Sequence, residues 1–94
     1  MSRDTHLAGE DAPHAIVTAI AASISDIAGS GHTIRDIHDV RVRQTSAGLV
    51  VTYHCHAEPS LDVQTVHDSV DGLEREARSR HPEIVRVFGH AEPG

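Results

Sequence analysis

The stretch that most constrains this chain is Val50 to His67, VVTYHCHAEPSLDVQTVH. It opens in strict alternation. Leu49, Val51, Tyr53, Cys55 and Ala57 fall on one face of a strand, and Val50, Thr52, His54 and His56 on the other. Pro59 interrupts that strand, and beyond it apolar residues recur at helical spacing. A strand that ends in two histidines therefore turns one tight corner into a helix that carries a third, His67. Imidazoles on two elements joined this way can converge on a point, and His38, His90 and Glu92 are candidates to join them.

The rest of the pattern builds outward from that unit. From Pro13, residues Ile16, Ile20, Ile24 and Ile27, with Ala19 and Ser23 beside them, form an apolar helical stripe. Asp11 stands where a cap belongs, and Gly29-Ser30-Gly31 stops the helix. Thr33 to Gln44 reads as a strand, with His38, Val40 and Val42 on one face and Ile37, Asp39, Arg41 and Arg43 on the other. Thr45 to Gly48 is a hairpin turn, since Gly48 can take the positive φ that such loops need. Ser60 reads as the N-cap of the second helix, which runs to about Ser79 with Val63, Val66, Val70, Leu73 and Ala77 as its buried stripe. Glu83 to Ala91 is the last strand, with Val85, Val87 and Gly89 on one face and Ile84, Arg86, Phe88, His90 and Glu92 on the other.

The order is helix, strand, strand, helix, strand. A three-stranded sheet covered on one face by two helices buries both stripes most economically, an α+β architecture. Residues 1–12 are polar and aperiodic and read as a flexible leader; residues 13–93 read as one domain, large enough for a thin core. A sheet this small leaves a face or an edge free for a second copy of the chain.

Composition narrows the function. A formal charge of -6, from 14 acidic and 8 basic residues, recommends neither nucleic acid nor an anionic membrane as partner. Tyr53 and Phe88 are the only aromatic residues, too few for a base-stacking platform. No apolar run approaches the ~20 residues of a membrane span, and the first residues are not a signal peptide. One cysteine, Cys55, cannot form an internal disulfide, so a reducing cytoplasmic setting is expected; by alternation it reads as a small core residue.

Nine histidines are the outlier, and no terminal tag accounts for them. His54 and His56 leave one strand face with roots about 6.5 Å apart. His90 and Glu92 repeat that spacing on the last strand, where a carboxylate can add an oxygen ligand or bridge two ions. Zinc accepts this mixture of imidazole and carboxylate. His6, His14 and His32 read as surface residues near the tail or helix boundaries. His81 is explained by a helix C-terminus, where a partly positive ring is favoured.

Four separated segments carry a resemblance: His38-Asp39-Val40-Arg41-Val42-Arg43, Tyr53-His54, Leu61 to His67, and Phe88-Gly89-His90-Ala91-Glu92-Pro93. In this order they resemble the cytoplasmic C-terminal domain of cation diffusion facilitator transporters, the cation efflux family. The resemblance implies a ferredoxin-like, metallochaperone-like fold and a V-shaped homodimer whose closed form is steadied by zinc or a related divalent ion. It matches His38, His54, His67 and His90 to the family's histidine ligands and Glu92 to its last-strand carboxylate. That carboxylate is often aspartate in the family, so Glu92 adds a methylene of reach. His56 stands where an acidic residue is common and is an added candidate ligand.

Family members carry a six-helix membrane domain with the transport site, and no such segment occurs in these 94 residues. Transport therefore cannot be assigned to them. Met1 and the untagged leader read as a native start, and an excised domain is the alternative. The expected function is a homodimeric metal-binding sensor, buffer or carrier, or regulatory module related to cation efflux, with a cation efflux transporter as a candidate partner, for Zn2+ first and Cd2+, Mn2+, Ni2+ or Co2+ as relatives. An adaptor with incidental histidines is the alternative. A metal-dependent hydrolase is disfavoured because no general base or oxyanion donor is evident besides the ligands.

Overall fold

The computed structural model describes residues 10–31 and 33–94. The leader up to residue 9, with His6, and the surface reading of His32 lie outside the described residues. The elements are β1 (Glu10–Asp11), α1 (His14–Gly31), β2 (Ile34–Thr45), β3 (Gly48–Ala57), α2 (Val63–Arg80) and β4 (Ile84–Pro93). One sheet runs β1-β2-β3-β4, antiparallel except for the parallel pair β3–β4. The expected α+β order is present, with four strands rather than three.

The extra strand is small. Glu10 and Asp11 pair with Gln44 and Arg43, and the Ala12 N–H donates to the Val42 carbonyl at 2.8 Å. Asp11 therefore extends the sheet beside Arg43, at 3.8 Å, in place of the capping role expected of it. This pairing covers part of the β2 edge.

Each helix turns its apolar stripe to the same sheet face. Ile20, Ile24 and Ala28 of α1 and Leu73 and Ala77 of α2 are buried against Val42, Val51, Tyr53, Cys55 and Val87. Ala28 takes the place expected for Ala19, which is exposed. On α2 the stripe begins late. Val63 is 85% exposed because it is the first helical residue, before the helix has reached the sheet. The N-cap is Asp62 rather than Ser60, and its carboxylate accepts from the Thr65 N–H at 2.8 Å.

The β2–β3 hairpin closes at Gly48, whose φ of 136° and whose approach to Glu83 leave no room for a side chain. β3 alternates as its sequence reads: buried on odd residues from Leu49 to Ala57, more open on even ones. β2 does not. It spends 12 residues alongside the 10 of β3, and register shifts fall between Arg35 and His38 and between His38 and Arg41. Each is a bulge that sets three residues of β2 against two steps of β3. Asp36 (φ 57°) and Asp39 (φ 51°) take the left-handed turns, a conformation aspartate tolerates better than most side chains. Ile37 is thereby brought against the core with Ile34, Val40 and Val42, which corrects its grouping with Arg41 and Arg43, and His38 is parted from Val40 and Val42. A third shift, at the start of β4, turns Ile84 into the core.

Candidate metal centre

Residues paired across neighbouring strands point to one side of a sheet, so the register fixes what the outer face presents. Three rows cross it. Arg35, His56 and Glu92 form one; His38, His54 and His90 the next; Arg41, Thr52 and Phe88 the third. The bulges deliver His38 opposite His54. Ring centroids lie 5.7 Å apart for His38 and His54, 5.5 Å for His38 and His56, and 5.1 Å for His54 and His90.

Glu92 spans two of these rings. Its Oε2 is 3.2 Å from His54 Nδ1, and its Oε1 is 3.7 Å from His56 Nε2. The hydrogen bond from His54, helped by the neighbouring imidazoles, outweighs a small desolvation cost and holds the Glu92 carboxyl below its usual range. One donor atom each from His38, His54 and Glu92 lies within 4.8 Å of the other two. Two ligands bound to one ion at about 2.1 Å sit about 3.4 Å apart in tetrahedral geometry, so a small inward movement of these side chains suits zinc-like coordination. The donor set fits a divalent transition metal.

Two residues in the cluster were not singled out from the sequence. Asp39 Oδ2 lies 3.6 Å from His54 Nε2, and Asp36 Oδ2 lies 3.2 Å from His56 Nδ1. Strict alternation assigns Asp39 to the opposite face from His38, and the bulge undoes that. Two aspartates three apart in a β-pattern were the available signal, since aspartate tolerates the left-handed backbone of a bulge.

His67 stands apart from the ring cluster. It is 63% exposed on α2, with Nε2 3.2 Å from Asp71 Oδ2. It lines a mainly apolar groove between α2 and the β4 edge, whose wall also includes Glu58 and Glu92. Of the six sequence candidates, His38, His54, His56, His90 and Glu92 share the outer face, and His67 faces the groove beside it. His14 is exposed as expected, 3.4 Å from Thr18. His81 caps α2 through its backbone N–H, and its ring meets Ser23 on α1 at 2.9 Å. Cys55 is fully buried on the other face, where burial, and then the Glu92 charge, push its thiol pKa up.

The family model for the cytoplasmic domain of cation efflux proteins matches residues 11–94. The chain belongs to this family. The cytoplasmic setting expected from the sequence agrees with the family's description, and the family's designation names a dimer. Among the described residues, no helix of the cation efflux domain is long and apolar enough to cross a membrane.

Its fold is shared with solved structures. The metal-bound C-terminal domain of the CzcD transporter from Thermotoga maritima superposes with a TM-score of 0.76 at 17% identity, covering 87% of this chain and 94% of that one. The zinc form of CzrB gives 0.79 at 24% identity, covering 89% and 91%. The cadmium form of a MamM C-terminal domain variant gives 0.69 at 16%, covering 81% and 95%. No curated protein sequence matches the chain.

Proposed function

We propose that this cation efflux domain is a homodimeric regulatory module that binds a divalent transition metal, zinc foremost, on the outer face of its sheet. One observation carries the reading: donor atoms of His38, His54 and Glu92 converge to within 4.8 Å on a face that buries no core. His56 and His90 are further candidate ligands flanking them, and His67, in the neighbouring groove, is a more distant candidate. The domain proper is residues 13–93, with the short β1 pairing as an extension of its sheet. The metal-bound, zinc and cadmium forms of the similar domains support the choice of ion class.

Neutral imidazoles and a carboxylate replace water around the ion, and protons compete for the same nitrogens, so affinity falls on acidification. An ion that contacts both arms of a dimer favours the closed arrangement by mass action. Native mass spectrometry with a zinc titration at pH 7.5 tests the reading. A dimer that gains a whole number of ions per protomer supports it, and scattering profiles that contract on zinc addition support the closure. A dimer that stays metal-free at micromolar zinc leaves a dimerisation adaptor.

A further inference from the structure

Asp36 touches two imidazoles at once by two different groups. Its backbone carbonyl lies 2.6 Å from His38 Nδ1, and its carboxylate Oδ2 lies 3.2 Å from His56 Nδ1. Both acceptors are oxygens, so each ring nitrogen that meets them carries the proton. In the neutral ring the other nitrogen, Nε2, is then left with its lone pair. For His56 that nitrogen faces Glu92 Oε1. Asp36 reaches both rings because of the backbone it adopts. At φ 57° it forms the first β2 bulge, which turns its carbonyl back toward His38 while its side chain extends to the neighbouring strand.

We propose that Asp36 is a positioning residue of the metal centre: it fixes His38 and His56 in the tautomer that presents Nε2 to the ion. This rests on the metal-binding reading above. Arg35 reinforces the arrangement from the adjacent position. Its guanidinium donates to the Gly94 carbonyl and lies 3.8 Å from the Asp36 carboxylate and 3.7 Å from Glu58. Arg35 thus links Asp36 and the bulge of β2 to the chain end just beyond β4. Hydrogen bonds of this kind to the non-ligating nitrogen orient the ring and raise its donor strength, and losing one typically weakens metal affinity 10–100-fold.

The carbonyl and the carboxylate can be separated. In Asp36→Gly the left-handed backbone is retained at no steric cost, and so is the carbonyl contact to His38, while the hold on His56 is lost. In Asp36→Asn the amide oxygen still accepts from His56 Nδ1–H. Long-range 1H–15N correlation spectra of the metal-free protein read the tautomers, and zinc titration reads the affinity. Asp36→Gly is expected to leave His38 as the Nδ1–H form, release His56 from it, and weaken zinc binding about 10-fold. Asp36→Asn restores most of that loss. In a His56→Ala background, Asp36→Gly costs nothing further.

The melting temperature of metal-free Asp36→Gly is expected to match or exceed the parent's, which a merely structural role would not give. Wild-type zinc affinity in Asp36→Gly, or the same loss in the His56→Ala background, overturns the proposal. His54→Ala run in parallel separates the two levels. If it too binds zinc like the parent, the metal reading fails, and the positioning role with it. If it loses zinc while Asp36→Gly does not, the positioning role alone fails.

Discussion

The two faces of the sheet are built from the same three long strands and carry opposite chemistry. On the inner face the strands give Val42, Val51, Tyr53 and Val87 to a core closed by both helices. On the outer face, one residue further along each strand, they give imidazoles and carboxylates to a cluster open to solvent. The inner face is specified by shape and apolar area, the outer by donor atoms. On the proposed reading, stability belongs to one side and metal affinity to the other, and variants should divide along the same line.

The largest effect is expected from the inner face. Ile24→Ala removes a fully buried side chain and should cost about 2–5 kcal/mol in denaturant unfolding, with zinc affinity of the remaining folded protein unchanged. Gly89→Ala follows. Its β-carbon would lie well inside van der Waals contact distance of the Tyr53 hydroxyl, so ring and strand must shift at a cost of about 1–3 kcal/mol. Because Gly89 precedes His90, this variant tests how far strain in one face reaches the other. A zinc affinity that also drops would show that the division is incomplete at β4.

Glu74 joins α2 to the β4 edge by accepting from the Val87 N–H and from Arg86 Nε, both at 2.9 Å. Burial alone would raise its pKa, but these hydrogen bonds and the positive charges of Arg86 and Arg78 more than offset that and hold it below 4.5. A depressed folded value means stability present above the unfolded pKa and lost as pH falls through the folded one. Acid melting curves below pH 4.5 should thus drop more steeply for the parent than for Glu74→Gln. At neutral pH, Glu74→Ala should cost about 1–2 kcal/mol.

The smallest effects sharpen the comparison from both sides. Tyr53→Phe should be neutral or slightly stabilising, because the hydroxyl is buried with no hydrogen-bond partner among the described residues and its removal leaves nothing unpaired. His54→Ala should change metal-free stability by less than about 0.5 kcal/mol, as expected for a partly exposed position outside the core, yet abolish tight zinc binding. Two chemical melts and two titrations check the pair.

Much of this division was legible in the sequence because β3 obeys its period. Strict alternation from Leu49 to Ala57 assigned each side chain to its face, and His54 with His56 followed. β2 was less legible. A pattern of period two has no place for two inserted residues, so Ile37 was grouped with the outward Arg41 and His38 with the inward Val40 and Val42. The bulges that cause this depend on pairing with β3, a non-local constraint. Val63 and Ser60 were misplaced for a local reason: a helix start is marked by the residue whose side chain reaches the third amide ahead, and Asp62 does so. The convergence of Asp36 with both His38 and His56 needed the fold, since it joins a backbone carbonyl and a carboxylate across two strands.

The most direct test of the central claim is an anomalous difference map at the zinc edge from crystals grown with stoichiometric zinc. The expected result is a peak on the outer face within about 2.0–2.2 Å of nitrogens of His38 and His54 and an oxygen of Glu92. A strong peak only at exposed histidines such as His14, with none between β2, β3 and β4, would contradict it.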